Sequence, residues 1–147
     1  MRDTMVHRGP NDAGIWQFQT VNSSYIGLAH RRLSIFDLSE FGHQPMKSVD
    51  GDLIITFNGE IYNFSELRSE LEKDGAIFKS DCDTEVILYS YAKWGDECFS
   101  RFNGMFAIAI WDINRDALII ARDRMGVKPF YYYYNPSEKD FVFAFLP

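Results

Sequence analysis

The apolar run Leu53-Ile54-Ile55-Thr56-Phe57 leads straight into Asn58-Gly59-Glu60, and this junction constrains the chain most. Five β-prone residues in a row predict a strand that needs cover. The strand ends in a side-chain amide, a glycine N–H and a carboxylate, which together can hold a polarised carbonyl. Pre-aimed N–H donors stabilise a developing oxyanion, and losing one such donor costs ~3 kcal/mol of barrier. Read bare, Asn-Gly is also the strongest short hairpin signal, so a plain turn is the competing reading.

The elements around this strand predict an α+β fold with helices packed on sheets. Ile15 to Thr20 and Tyr25 to His30 read as a strand pair around Val21 to Ser24. Val49-Asp50-Gly51-Asp52 is a turn before the Leu53 strand. A helix follows, with Asn63 as N-cap, Glu66 three residues on, Leu67 and Leu71 on one face and Gly75 as its stop. A second helix spans Thr84 to Trp94, with Val86, Ile87, Tyr91 and Trp94 as its buried stripe and Gly95 as terminator. Met105–Trp111 and Leu118–Ala121 form a hairpin around Asp112 to Asp116. Phe130–Tyr134 and Phe141–Phe145 form another around Asn135-Pro136-Ser137. Strands in antiparallel blocks with helices grouped between them indicate layers rather than βαβ winding.

Bulk properties exclude several function classes. The 147 residues suggest one domain, and 46% hydrophobic with 16% aromatic content is a globular composition. A net charge of -6 without a basic stripe gives no sign of a nucleic-acid partner. Apolar runs fall far short of the ~20 residues of a membrane span, and Met1-Arg2-Asp3-Thr4 lacks the apolar core of a signal peptide. Cys82 and Cys98 form neither a metal spacing nor a disulfide framework, so a reducing cytoplasmic setting is expected. His7, His30 and His43 show no zinc spacing.

Four polar clusters sit at element ends: His7–Asp12, His30–Asp37, Phe57–Glu60 and Asp81–Glu85. An arginine after an apolar strand can clamp a carboxylate with a bidentate fork, or simply form a structural ion pair. Arg31 and Arg32 cannot both face inward on an extended segment. Asp83 at a helix start reads as an N-cap, or as a partner for a ligand ammonium. Glu60 could pair with an arginine, hold an amine or face solvent. Together these groups suit an amino acid ligand. Cys98 reads as buried and inert, and the charge of Asp83 would raise the thiol pKa of Cys82. Arg122 to Pro129 reads as an ion-pair loop between strands.

In order, the blocks H-R-G-P-N-D, H-R-R-L-S-I-F-D-L-S, G-H-Q-P-M, F-N-G-E-I-Y-N-F, D-T-E-V-I-L, N-G-M-F-A-I-A-I-W-D and R-D-R-M-G-V-K-P-F-Y resemble the glutamine-hydrolysing domain of asparagine synthetases, the class II (N-terminal nucleophile) glutamine amidotransferases. The resemblance covers Met1 to Ala144. It implies a four-layer αββα sandwich and a glutamine substrate. Asn58 and Gly59 are then similar to the oxyanion hole, and Arg32 to the clamp on the glutamine α-carboxylate. Leu33, Ser34, Ile35 and Phe36 are similar to the adjoining pocket wall, and Glu60 and Asp83 to the acids that read the amino group. The family nucleophile is a cysteine at the mature N-terminus, whose free α-amino group (pKa about 7.7–8.0) moves the proton. That cysteine and its strand would precede Met1, so the first strand is expected to be missing, the chain to be inactive alone, and the fold to be marginal or partner-dependent. No cofactor is expected in this chain. ATP and magnesium would belong to a separate synthetase domain or subunit, expected to be absent from it. The alternative is a non-catalytic module that binds glutamine or docks on a partner. Relatives amidate acceptors besides aspartate, so the acceptor stays open.

Overall fold

The computed structural model describes residue 6 and residues 9–20, 23–32 and 42–145, the side chain of Arg32 excepted. The order is β1 (Asp12–Gln19), β2 (Tyr25–Arg32), β3 (Met46–Lys47), β4 (Leu53–Ile61), α1 (Phe64–Lys73) and α2 (Asp83–Trp94). A 3-10 turn (Gly95–Glu97), α3 (Cys98–Arg101), β5 (Gly104–Asp112), β6 (Ala117–Arg122), β7 (Tyr131–Asn135) and β8 (Asp140–Ala144) follow.

β4 and β5 form the centre of an antiparallel sheet ordered β3-β4-β5-β6. Alternation sends Leu53, Ile55, Phe57 and Ile61 to one face, where they pack with Phe106, Ile108 and Ile110 against Leu67 and Leu71 of α1 and Val86, Ile87 and Tyr91 of α2. Each fully buried isoleucine here contributes about 1.5–3 kcal/mol. The other face presents Ile54 and Trp111 to Leu28, with Trp16, Phe18, Ile26 and Phe143 packed around them. Helices, the four-stranded sheet and the β1–β2 pair therefore stack as α, β and β layers, and no described residue forms a second helical layer. Among the described residues the β7–β8 hairpin pairs only with itself, and Tyr131 to Tyr134 are each more than half exposed.

Several expectations are corrected. The strand expected to end at Phe57 runs on through Asn58-Gly59-Glu60 to Ile61 while β5 stays in register, Gly59 opposite Phe106 and Ile61 opposite Gly104, which excludes the competing turn. Gly59 has φ +155, and a Cβ there would stand 2.1 Å from Met105 O, so the two strands approach only because it is glycine. Asn63 occupies the N-cap position of α1 without capping it. Its Nδ2 donates to Arg101 O at 3.0 Å and its Oδ1 accepts Asn103 N–H at 2.9 Å, so a tertiary contact has taken the side chain. Asp83 is the first residue of α2, and Cys82 holds the N-cap position. The loop after β6 is built on side-chain-to-backbone bonds. Asp123 accepts the N–H groups of Phe106, Val127 and Lys128, and Arg122 donates to Gly126 O and Lys128 O.

Candidate glutamine site at the open edge of β4

Successive N–H groups of an antiparallel strand point alternately towards its partner and away from it. Phe106, opposite Gly59, turns its own N–H to Asp123 Oδ2 (3.2 Å) and its C=O to Asp123 N–H (2.9 Å) on the β6 side. Gly59 and Phe106 therefore do not exchange bonds, and the odd-numbered amides of β4 face its other edge. β3 covers only the start of that edge, with Met46 opposite Ile55. Beyond β3, side chains take over. Phe57 N–H donates to Gln44 Oε1 at 2.6 Å, and Ile61 N–H donates to Asp83 Oδ2 at 3.1 Å. Gly59 N–H lies between these two satisfied donors, and no described residue pairs with it.

The remaining groups gather around this amide. Asn58 shares the face of Ile54 and Thr56 by alternation and is half-buried. Glu60 follows on the same face and is exposed. Asp83 is half-buried, and burial pushes its carboxyl pKa up. Hydrogen bonds from Ile61 and Thr84 N–H pull it down, the charge of Glu60 pushes it up again, and the net result is raised. Asp83 takes the N–H of Ile61, the residue after Glu60, so the fold sets the two acids beside each other, which spacing alone could not establish.

Glu85, in the first turn of α2, holds the approach to Asp83. Its buried carboxylate accepts Lys79 N–H (2.9 Å), Ser80 N–H (2.8 Å) and Ser80 Oγ–H (2.6 Å), fixing the loop that delivers α2. On the other side, His30 Nδ1 lies 3.1 Å from Thr56 Oγ1, which brings the end of β2 over β4. Arg32 is the last residue of β2, opposite Asp12. Leu33, Ser34, Ile35 and Phe36 lie outside the described residues. The structure therefore brings Asn58, Gly59, Glu60 and Asp83 together, and places the backbone of Arg32 two residues beyond His30.

Neither cysteine is equipped as a nucleophile. Cys98 is fully buried, and burial pushes its thiol up to about 12. The Cys82 thiol is also raised, chiefly by burial, with the charge of Asp83 a smaller contribution than the sequence reading gave it. A cleft of about 310 Å³ lined by Leu53, Tyr91 and Arg115 lies at the opposite end of β4 and includes none of the site residues. No group of described residues is arranged to hold a metal ion, and no described helix is long and apolar enough to cross a membrane.

Sequence reasoning missed Gln44, Glu85 and Asp123 as supports. A signal existed for Gln44: Pro45 beside it has no N–H for a strand ladder, so the edge of β4 needs another partner there.

This geometry accompanies a clear family match. Residues 1–145 match the glutamine amidotransferase domain family, and the chain belongs to that family. Within it, the chain is a class II domain related to the asparagine synthetases. It is 44% identical to asparagine synthetase [glutamine-hydrolyzing] 3 of Bacillus subtilis over 90% of this chain and 21% of that relative. It is 46% identical to asparagine synthetase [glutamine-hydrolyzing] 1 of the same organism over 90% of this chain and 20% of the relative. The chain thus spans about a fifth of the length of these curated relatives. The fold is similar to the glutamine phosphoribosylpyrophosphate amidotransferase of B. subtilis, with a TM-score of 0.68 and 21% identity, covering 88% of this chain and 35% of that one.

Proposed function

We propose that this chain supplies the glutamine-binding and oxyanion-stabilising part of an amidotransferase that releases ammonia from glutamine. In this reading Arg32 holds the substrate carboxylate, Leu33 to Phe36 line the side of the pocket, and Glu60 and Asp83 hold the ammonium. A thiolate attacks the amide carbon, the carbonyl electrons move onto oxygen, and Gly59 N–H with the Asn58 side-chain amide donates to that oxyanion. Collapse of the intermediate breaks the C–N bond, the nitrogen leaves as ammonia with the proton given up by the thiol, and water then hydrolyses the thioester to glutamate and frees the thiol. The attacking thiolate is assigned to neither Cys82 nor Cys98. The ammonia would serve an ATP-dependent amidation, of aspartate in an asparagine synthetase, on a synthetase domain or subunit. No cofactor is assigned to the residues of this chain.

The observation that carries the reading is the Gly59 N–H on the edge of β4, without a partner among the described residues and beside the carboxylates of Glu60 and Asp83. The same reading extends the fold to a four-layer αββα sandwich. The apolar side chains of Ile15 (53% exposed) and Tyr25 (80%) on the outer face of the β1–β2 pair fit a further covering layer.

Glutamine titration by calorimetry and enzymatic ammonia detection test the proposal together. Glutamine binding by this chain, and ammonia release that appears once the attacking cysteine is supplied and is lost in Asn58→Ala, are the expected results, and absence of both rejects the proposal. The raised thiols of Cys82 and Cys98 favour one second reading, a glutamine-binding module without hydrolysis. Binding without ammonia release even when the attacking cysteine is supplied would select it.

A further inference from the structure

We propose that Gln44 is a positioning residue for the Gly59 donor. The inference rests on the hydrolase reading above and adds a residue which that reading does not use. Gln44 is 6% exposed and its side-chain oxygen takes the Phe57 N–H, so it replaces the strand residue that β3 does not provide. Phe57 is itself 4% exposed, so without this acceptor its amide would be a buried, unsatisfied donor. The next amide on the same edge is Gly59. A shift of β4 that finds Phe57 a new acceptor therefore swings the oxyanion donor.

The main chain around Gln44 is anchored independently to β1. Its carbonyl oxygen sits where a Cβ on Gly14 would be, only 2.0 Å away, so glycine is what admits it. Next to it, His43 Nδ1 and Asp12 Oδ2 lie 2.7 Å apart. Gln44 is thus a rigid strut from β1 to β4. Gln44 and Asp83 hold the amides on either side of Gly59, and the strut sets the direction of the one left open. Misplacement of a catalytic group by ~1 Å can cost ~100-fold in rate, which makes such a strut matter to turnover more than to substrate capture.

Two substitutions separate this role from a merely structural one. Gln44→Met keeps the shape and removes the acceptor, and Gln44→Glu keeps an acceptor oxygen at similar reach. Backbone amide hydrogen exchange at Phe57 and Gly59 is measured alongside ammonia release over a range of glutamine concentrations. In Gln44→Met, exchange at Phe57 is expected to rise at least about tenfold and kcat to fall about tenfold or more, with KM within about twofold. Gln44→Glu is expected to recover both. Unchanged exchange at Phe57, or faster exchange with kcat intact, overturns the proposal. So does loss of kcat that Gln44→Glu does not recover in a folded sample. Ammonia release is read with the attacking cysteine supplied, and if none is released even then, the hydrolase reading fails, and the catalytic claim for Gln44 with it. Exchange at Phe57 and Gly59 then shows separately whether the strut exists.

Discussion

The carboxylate of Asp83 accepts the N–H of Ile61 at 3.1 Å, which ties the first residue of α2 to the last residue of β4. The carboxylate is half-buried, with its pKa raised chiefly by burial. An acid with a raised folded pKa holds its proton more tightly in the native state, so its ionisation opposes folding. This penalty is absent below the ordinary carboxylate value of 3.8, grows as pH rises from there through the raised folded value, and is complete above it. Asp83→Asn keeps an oxygen for Ile61 N–H and removes the charge. Urea denaturation should therefore show Asp83→Asn at least as stable as wild type at neutral pH, and the difference should vanish in acid. Glutamine affinity should fall at least about tenfold, because the ammonium loses a charged partner. Full affinity in this variant would reject Asp83 as a ligand group.

Gly59→Ala places a Cβ 2.1 Å from Met105 O and 2.7 Å from Phe106 Cα, both backbone atoms of the central strand. These atoms move only if β4 and β5 separate. The expected loss is about 2–4 kcal/mol in chemical denaturation. Gly27→Ala is the control, since a Cβ at Gly27 meets nothing within 4 Å. Equal stability of the two variants would contradict the tight β4–β5 approach.

The thiols give a third prediction. With its thiol pushed up to about 12 and fully buried, Cys98 should resist an aromatic disulfide reagent at pH 8 until the protein is unfolded. Cys82 should react slowly. Ammonia release, where observed, should survive both Cys82→Ala and Cys98→Ala. A variant abolished by either change would return a cysteine to the mechanism.

Glu85 should matter to stability out of proportion to its distance from the substrate. Glu85→Ala strips acceptors from Lys79 N–H and from the buried Ser80 N–H and hydroxyl, at a cost of about 2–4 kcal/mol. Glu85→Gln retains one acceptor oxygen and should lose about half as much. Proteolysis within residues 79–82 should accelerate in the same order. An unchanged cleavage rate in Glu85→Ala would show that the loop is held by other contacts.

How far the sequence could be read depended on the distance between partners. The helix faces of Leu67–Leu71 and Val86–Tyr91 and the apolar strands β4 and β5 follow local periods, and they appear where those periods put them. Asn-Gly misleads as a turn signal because what keeps β4 extended is Phe106, far along the chain. Asn63 has the composition of a cap, yet Arg101 and Asn103 compete successfully for its amide. Of the site, Glu60 and Asp83 could be singled out by type and position, but their mutual influence is a tertiary fact. For Gln44 the neighbouring Pro45 marks a gap in the strand ladder, but not its partner, since Phe57 is set by how β1 carries the chain past β4.

The pairing of β4 with β5 also orders events during synthesis. Ile61 lies opposite Gly104 of β5 and Leu53 opposite Asp112, with both α1 and α2 made in between. A nascent chain leaving the ribosome thus carries β4 with one edge waiting for β5 and the other paired, among the described strands, with the two residues of β3. The helices can cover one face of β4 early, but they supply no strand partner for that central edge. Long-range pairing of this kind forms late and exposes an apolar strand to other chains meanwhile. Slow translation ahead of residue 104, or chaperone capture of β4, would bear directly on how much of this chain becomes native.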